Sequence, residues 1–236
     1  MNIAIIGYGK IGHEIEKIAR TRGIHIQSII DINNPGATHK TIDEESMQNV
    51  DVCMDFTKPD AVIDNVKKIS QFGRNIVVGT TGWNERIEEV GKIVNVSDIG
   101  LIHSPNFSIG VNIFLRIIED AAKMFNKIDS YDVFGYELHH SKKLDSPSGT
   151  AKEIEQILLK NISGKKKVPF ASVRAGSIPG THVVGFDSSV DTIELIHTAR
   201  NREGFALGAI MAAEWIQNKK GLYNINDMMN EIIGGT

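Results

Sequence analysis

The chain has 236 residues, 41% hydrophobic and 23% charged, with a formal net charge of −3. This is an ordinary globular balance, enough for one large domain or two small ones, and nothing in it draws the protein to nucleic acid or an anionic membrane. Cys53 is the only cysteine, which excludes an intrachain disulfide and a cysteine-built metal site, and no apolar run approaches the ~20 residues needed to span a bilayer. The first residues run straight into NIAIIGYG, with no charged leader, apolar segment and cleavage site, so a cytoplasmic protein is expected.

NIAIIG is a short β-branched run ending in glycine, as in a buried parallel strand, and Ile11, Ile15, Ile18 and Ala19 then recur at helical spacing. A second strand is predicted over Ile24 to Asp31 and a third over VDVCMDF. Pro59 opens a helix with Ala61, Val62, Val66 and Ile69 inward. NIVVG is a fourth strand, a helix begins near Trp83, and Ile99 to Ser104 is a fifth strand. This alternation predicts a parallel sheet with right-handed crossovers.

Between the first strand and helix lies Gly7-Tyr8-Gly9-Lys10-Ile11-Gly12, with Asp31 at the end of the next strand. The first glycine permits a tight turn, the second lets a pyrophosphate approach the backbone, and the third lets helix and sheet pack closely. Dinucleotide binding is the expectation. The Asp31 carboxylate can accept from the adenosine ribose and repels a 2′-phosphate, which favours NADH. Lys10, the nearby cation, keeps NADPH open as a second cofactor. Three further strand ends carry candidate loops: Asp55-Phe56-Thr57, Gly79-Thr80-Thr81-Gly82 and Ser104-Pro105-Asn106-Phe107-Ser108. Asn106 is placed to orient a carboxamide and Phe107 to wall a nicotinamide face.

From Ile109 the pattern changes. A strong amphipathic helix runs through Val111, Phe114, Leu115, Ile118, Ala122 and Phe125, and YDVFGYELHH is strand-like. Ile154, Ile157 and Leu158 mark a helix, followed by Lys165 to Lys167 in a solvated loop. VPFASVRAG, THVVGFD and DTIELIHTA read as strands, the last with Ile193, Leu195, His197 and Ala199 on one face. Strands without intervening helices predict a mixed or antiparallel sheet. No helix after Lys160 is available to cover it, so pairing with another subunit is expected. FALGAIMAAEWI is a helix whose small residues suit a return to the first domain.

The stretch ELHHSKKLDSPSGTA, Glu137 to Ala151, concentrates proton donors, positive charge and a helix start. His139 and His140 end a strand on opposite faces, which makes them poor joint ligands, so no metal is expected. Thr150 to Glu153 reads as a capping box. Free N–H groups near Gly149 and Thr150, with Lys143 for charge, can hold a carboxylate. Structurally this is a well-capped helix after a polar loop; functionally it suits an acidic substrate.

These residues resemble the 4-hydroxy-tetrahydrodipicolinate (dihydrodipicolinate) reductase family, whose motif is E-x-H-H-x-x-K-x-D-x-P-S-G-T-A. Supporting matches are DFT at 55–57, VGTTG at 78–82, NFSIGVN at 106–112, VRAGSIPGTH at 173–182 and FALGAIMAAEW at 205–215. The resemblance covers nearly the whole chain. It implies an α/β protein with an N-terminal Rossmann-type parallel sheet and a smaller α+β substrate and oligomerisation domain with a mixed sheet. Residues 1–107 and 205–236 would bind the dinucleotide, and residues 108–204 would bind substrate and form a homotetramer. The implied reaction is NAD(P)H-dependent reduction of a cyclic dicarboxylate in the diaminopimelate route to lysine. His139 falls on the family's proposed proton donor and Lys143 on the second catalytic residue. His140, Lys143, Ser148, Gly149 and Thr150 fall on substrate positions. Gly7, Tyr8, Gly9, Lys10, Ile11, Gly12, Asp31, Gly79, Thr80, Thr81, Ser104, Pro105, Asn106, Phe107 and Arg202 fall on cofactor positions. Lys10, Trp83 and the S-P-N-F loop depart from common family residues. Two alternatives stay open: a reductase of another amino-acid-derived imine, of the aspartate dehydrogenase type, or a catalytically silent nicotinamide sensor.

Overall fold

The computed structural model describes residues 1–234; positions 235 and 236, the end of the predicted dinucleotide-binding segment, lie outside the described residues. The chain divides into two compact units, Met1–Ile109 with Glu203–Thr236, and Gly110–Arg202. Among the described residues no helix is long and apolar enough to cross a membrane.

The first unit is built from β1 (Asn2–Ile6), α1 (Lys10–Thr21), β2 (His25–Ile30), β3 (Val52–Asp55), α2 (Pro59–Gln71), β4 (Asn75–Val78), α3 (Ile87–Val96) and β5 (Gly100–His103). The second unit intervenes with α4 (Ile109–Phe125), β6 (Asp132–His139), α5 (Gly149–Asn161), β7 (Phe170–Arg174), β8 (Thr181–Asp187) and β9 (Thr192–Thr198). The chain then returns through α6 (Glu203–Ile216), β10 (Gly221–Asn224) and α7 (Ile225–Ile233).

The first sheet has the order β2-β1-β3-β4-β5-β10, with every pair parallel. Its strands read as continuous apolar runs because both faces are covered. Ile3 and Ile5 point into one core with α1, α6 and α7, while Ala4 and Ile6 point into another with α2 and α3. Connections leave β1 in one direction and β3 in the other, so a crevice opens at their carboxyl ends, where ligands of open α/β sheets bind. The sequence pattern does not mark β10. It is four residues long and half-buried throughout, too short to show a period of its own.

Asn75 anchors that returning segment. Its Nδ2 donates to the carbonyls of Ile216 and Gln217 at 2.6 and 2.9 Å, and its Oδ1 accepts from the Gly100 amide at 2.7 Å. Gly100 is required beside it, since a Cβ there would lie 2.3 Å from the Lys219 carbonyl oxygen. One buried amide thus joins β4, β5 and the end of α6.

In the second unit the sheet order is β7-β6-β8-β9, with β6 and β7 parallel and the other pairs antiparallel. Val111, Phe114, Leu115, Ile118, Ile154 and Leu158 from α4 and α5 pack on Val133, Val184 and Phe186. This corrects the expectation of a sheet with no covering helix. α4 precedes the sheet in sequence, and with α5 it buries one face. The opposite face carries Tyr136 and Leu138, with Val173 45% and Ile196 59% exposed. Leu195 turns to the helices as its alternation predicts, whereas Ile193 on the same side is 44% exposed.

Replacing Asn75 by alanine is expected to destabilise the first unit by about 2–4 kcal/mol, because it strands a buried amide and two carbonyls. Urea unfolding followed by circular dichroism checks this. A change below about 0.5 kcal/mol, the usual surface value, would refute the anchoring role.

Candidate active site

In the first unit each glycine of the fingerprint has a separate reason. Gly7 has φ 88°, and a Cβ there would lie 2.5 Å from the Phe56 carbonyl oxygen. A Cβ on Gly12 would lie 2.4 Å from the Gly7 carbonyl oxygen, whereas one on Gly9 would meet nothing within 4 Å. The middle glycine therefore borders open space, and α1 starts at Lys10 with no side-chain cap. The amides of Lys10, Ile11 and Gly12 at its first turn suit a phosphate. Asp31 ties the neighbouring loop together. Its Oδ2 accepts from the Tyr8 amide at 2.8 Å, and its Oδ1 accepts from Asn33 and Asn34 at 2.8 and 2.9 Å. Burial works to raise the Asp31 pKa, but these amides and Lys40 bring it below the usual carboxylate value.

The other strand-end loops meet around Phe56 and Asp55. A Cβ on Gly79 would lie 2.0 Å from the Phe56 ring, which stands 6.4 Å from the Phe107 ring. Asp55 is fully buried; it accepts from the Thr57 amide and hydroxyl at 3.0 and 2.6 Å and from Asn65 at 2.9 Å, with the Thr80 hydroxyl at 3.4 Å. Burial pushes its carboxyl pKa up. The Thr80 carbonyl accepts from the Trp83 indole, and Thr81 is exposed. Ser104 closes the next loop by exchanging hydrogen bonds with the Asn106 backbone, with Pro105 exposed between them. Phe107 is 2% exposed and belongs to the core, packed under α6, so its ring offers no open wall; half-buried Phe56 is the accessible aromatic of this group. Arg202 is an exposed residue at the end of the other unit.

In the second unit, strand register assembles a polar row on the helix-facing side of the sheet. Ser172, Glu137, His182 and His197 are successive partners across β7, β6, β8 and β9, and Arg174 pairs with His139 one step along. Ser148, at the start of α5, joins them. Glu137 is fully buried, and its Oε1 accepts from the Ser148 amide at 3.0 Å, Ser172 at 2.7 Å and Arg174 at 2.7 Å. Its Oε2 lies 3.3 Å from His139 Nδ1 and 3.4 Å from His182 Nε2. His182 Nε2 is also 3.1 Å from the Ser148 hydroxyl. His139 is 7% exposed, and a Cβ on Gly180 would lie 3.1 Å from its Nε2.

The electrostatics follow from burial. Burial works to raise the Glu137 pKa, but hydrogen bonds from Ser148, Arg174 and Ser172 outweigh it and bring the pKa to about 2. Burial lowers the His182 pKa to about 4, helped by neighbouring His139. Burial also lowers the His139 pKa, against the attraction of Glu137. The row thus holds one ionised carboxylate among neutral imidazoles.

Of the predicted residues, Ser148 caps α5 by accepting from the Ala151 amide, so the cap lies two residues before the Thr150 foreseen for it. The Lys152 amide is taken by the Ser148 carbonyl, which leaves the Gly149 and Thr150 amides at the helix start, with Gly149 exposed. Lys143 pairs with Asp145 at 2.8 Å, and half-buried His140 follows His139 on the other side of the strand. Glu137, Ser172, Arg174 and His182 are not among the residues the sequence pattern marks for the site. Glu137 was within reach, since it stands two residues before His139 and so shares its face. The other three depend on cross-strand register. Glu137, His139 and His182 do offer three ligand atoms within 4.8 Å of one another, a grouping that weighing His139 with His140 missed. The Arg174 guanidinium on the same carboxylate sets a positive charge against a cation there.

Acid should destabilise this row. The unfolded chain takes up protons at His182 below about pH 6.5, while the folded site resists until about pH 4. Stability present above pH 6.5 is therefore lost as pH falls towards 4, and Glu137 extends the loss from its ordinary 4.5 down to about 2. The melting temperature is expected to fall between pH 7 and 5, and to fall less in His182→Asn. Equal slopes in calorimetric scans of the two proteins would show that His182 is not responsible.

Two family descriptions match the chain: "Dihydrodipicolinate reductase, N-terminus" over residues 1–107 and "Dihydrodipicolinate reductase, C-terminus" over residues 110–229. A 4-hydroxy-tetrahydrodipicolinate reductase of Christiangramia forsetii is 36% identical, over 98% of this chain and 99% of its own. One from Archaeoglobus fulgidus is 34% identical, over 97% of this chain and 100% of its own. The fold is also that of dipicolinate-bound dihydrodipicolinate reductase from Paenisporosarcina sp. TG-14, with a TM-score of 0.81 at 24% identity, covering 95% of this chain and 97% of that one. With both halves matched and relatives aligned end to end, the chain belongs to the dihydrodipicolinate reductase family.

Proposed function

We propose that the chain reduces 4-hydroxy-tetrahydrodipicolinate to tetrahydrodipicolinate with a nicotinamide hydride, in the diaminopimelate route to lysine. The observation that carries this reading is the end-to-end match to reductases of that name, at 36% identity over 98% of the chain. The first unit is read as the cofactor carrier. The Gly7–Gly12 turn and α1 amides face the pyrophosphate, and Asp31 faces the adenosine ribose. The loops at Gly79–Thr81 and Ser104–Phe107 complete the cofactor contacts of this unit. The low pKa of Asp31 keeps a negative charge where NADPH would bring its 2′-phosphate, which favours NADH. Lys10 and Lys40 leave use of both cofactors open.

The second unit is read as the substrate carrier. A cyclic dicarboxylate needs fixed donors, and the Gly149 and Thr150 amides at the start of α5 supply them beside Ser148, with Lys143 and His140 adding charge and a further donor. After water is lost from the hydroxylated ring, hydride addition pushes an electron pair onto a neighbouring atom, which must take a proton. His139 is the proposed donor. Only its protonated form can act, and its pKa lies below the ordinary 6.5, so kcat should fall as pH rises through neutrality.

With substrate generated in situ by a dihydrodipicolinate synthase, NADH oxidation is expected, with kcat/KM for NADH at least equal to that for NADPH. A tenfold or greater NADPH preference (about 1.4 kcal/mol) would contradict the Asp31 argument. His139→Ala should lower kcat by about 10²-fold or more with little effect on cofactor KM. Lys143→Ala should lower kcat and raise substrate KM. Near-normal kcat in His139→Ala would remove it as the donor, and no turnover by the parent chain would overturn the reading as a whole.

We further propose a homotetramer formed through the open sheet face of the second unit. Support comes from Tyr136, Leu138, Val173 and Ile196 gathered there, the last 59% exposed. Light scattering should give four times the chain mass, and a stable monomer at micromolar concentration would sink the proposal.

A further inference from the structure

We propose that Glu137 is the positioning residue of the reaction: its Oε2 holds His139 in the tautomer that carries a hydrogen on Nδ1, leaving Nε2 to work on the substrate. This rests on His139 being the proton donor and deepens that reading.

Two buried polar atoms here are orphaned. Glu137 Oε2 and His139 Nδ1 are both buried, and neither has a hydrogen-bond partner of good geometry. They lie 3.3 Å apart. Glu137 is fully buried, so water cannot satisfy Oε2, and a bare buried acceptor is expensive. Two imidazole nitrogens reach that oxygen. His182 Nε2 has a second partner in the Ser148 hydroxyl at 3.1 Å, whereas His139 Nδ1 has no other. A lone pair on Nδ1 would set two buried acceptors 3.3 Å apart against each other; a hydrogen there makes the contact attractive. The carboxylate is unable to turn away, because Ser148, Ser172 and Arg174 all hold its other oxygen. His182 meets the His139 ring edge-on at a centroid distance of 5.1 Å and blocks it from swinging.

The far side of the imidazole agrees. Gly180, at φ 150°, faces Nε2, and the Cβ of any other residue would lie 3.1 Å from that nitrogen. The nitrogen that must exchange protons thus faces the one residue type without a side chain. The other charged groups around the ring are Arg174 on β7 and Lys143 and Asp145 in the loop, with His182 and then His197 on the strands beyond. Among the described residues only Glu137 forms an ion-pair contact with His139. In the reaction, Nε2 of the imidazolium gives its proton to the atom that received the electron pair. The ring returns to neutral with Nδ1–H still on Glu137, and solvent restores the Nε2 proton.

The test is the tautomer. In nitrogen-15-labelled protein at pH 8, His139 should show a protonated Nδ1 and a bare Nε2 by NMR, and the reverse assignment overturns the proposal without any variant. Glu137→Gln keeps the shape of the side chain. With its amide oxygen held by the three donors, its NH2 group takes the place of Oε2. His139 should then switch to the Nε2–H tautomer, and kcat should fall about 10²-fold with KM for NADH unchanged. A Glu137→Gln protein that keeps Nδ1–H and wild-type kcat overturns the positioning role, as does stoichiometric metal found bound between Glu137 and His139 in the purified protein. If His139→Ala has wild-type kcat, the donor reading itself fails. If His139→Ala is impaired but the tautomer is wrong, only the role of Glu137 fails.

Discussion

A carboxylate sealed from solvent remains ionised only if the protein replaces the water it has lost, and the second unit is arranged around that demand at Glu137. Three donors, from β7 and the start of α5, converge on Oε1. They come from two separate stretches of chain, so the carboxylate cannot be satisfied until β6, β7 and α5 are in register. A buried ion pair such as Glu137–Arg174 adds little net stability, since desolvation offsets the attraction, but losing one partner is severe. Its physical effect is to select one arrangement of these elements. The register that satisfies Glu137 also sets His139 and His182 against its second oxygen and brings the helix start beside them.

The first unit solves a related problem with less charge. Ligand approach at the carboxyl ends of a parallel sheet needs backbone close to the surface and loops that hold their shape without filling the crevice. Phe56 and Asp55 do this together. The Phe56 ring takes the space left by Gly79, its carbonyl closes on Gly7, and the Asp55 carboxyl gathers Thr57, Asn65 and Thr80. Two loops far apart in sequence are thereby fixed against the glycine turn, while the open space beside Gly9 stays clear. Asp31 carries its charge in a frame of three amides, so the same carboxylate also stiffens the loop.

Proton chemistry and stability are coupled in the second unit. His139 is placed in a row where charge on its neighbours is disfavoured by burial, beside a carboxylate that favours charge on it. That balance favours neutral imidazoles as the resting state.

Much of this was legible in the residues alone. Apolar runs alternating with helical periodicity marked β1 to β5 and their helices. The glycine fingerprint marked the tight turn before α1, and ELHHSKKLDSPSGTA marked the strand end and the start of α5, because each depends on neighbours within a few positions. What depended on distant neighbours was not legible. The four half-buried residues of β10 become a strand only because β5 offers an edge and Asn75 fixes the approach. The cap of α5 belongs to Ser148 because its hydroxyl meets Ala151, while Thr150, in an equally plausible pattern, falls inside the helix. Phe107 reads as a wall until α6 closes over it. Local sequence therefore determined which elements form and where the glycine turn and the α5 helix start lie. Tertiary structure decided which side chains share a carboxylate, because strand register brings Ser172, Arg174 and His182 to Glu137 from 35, 37 and 45 positions away.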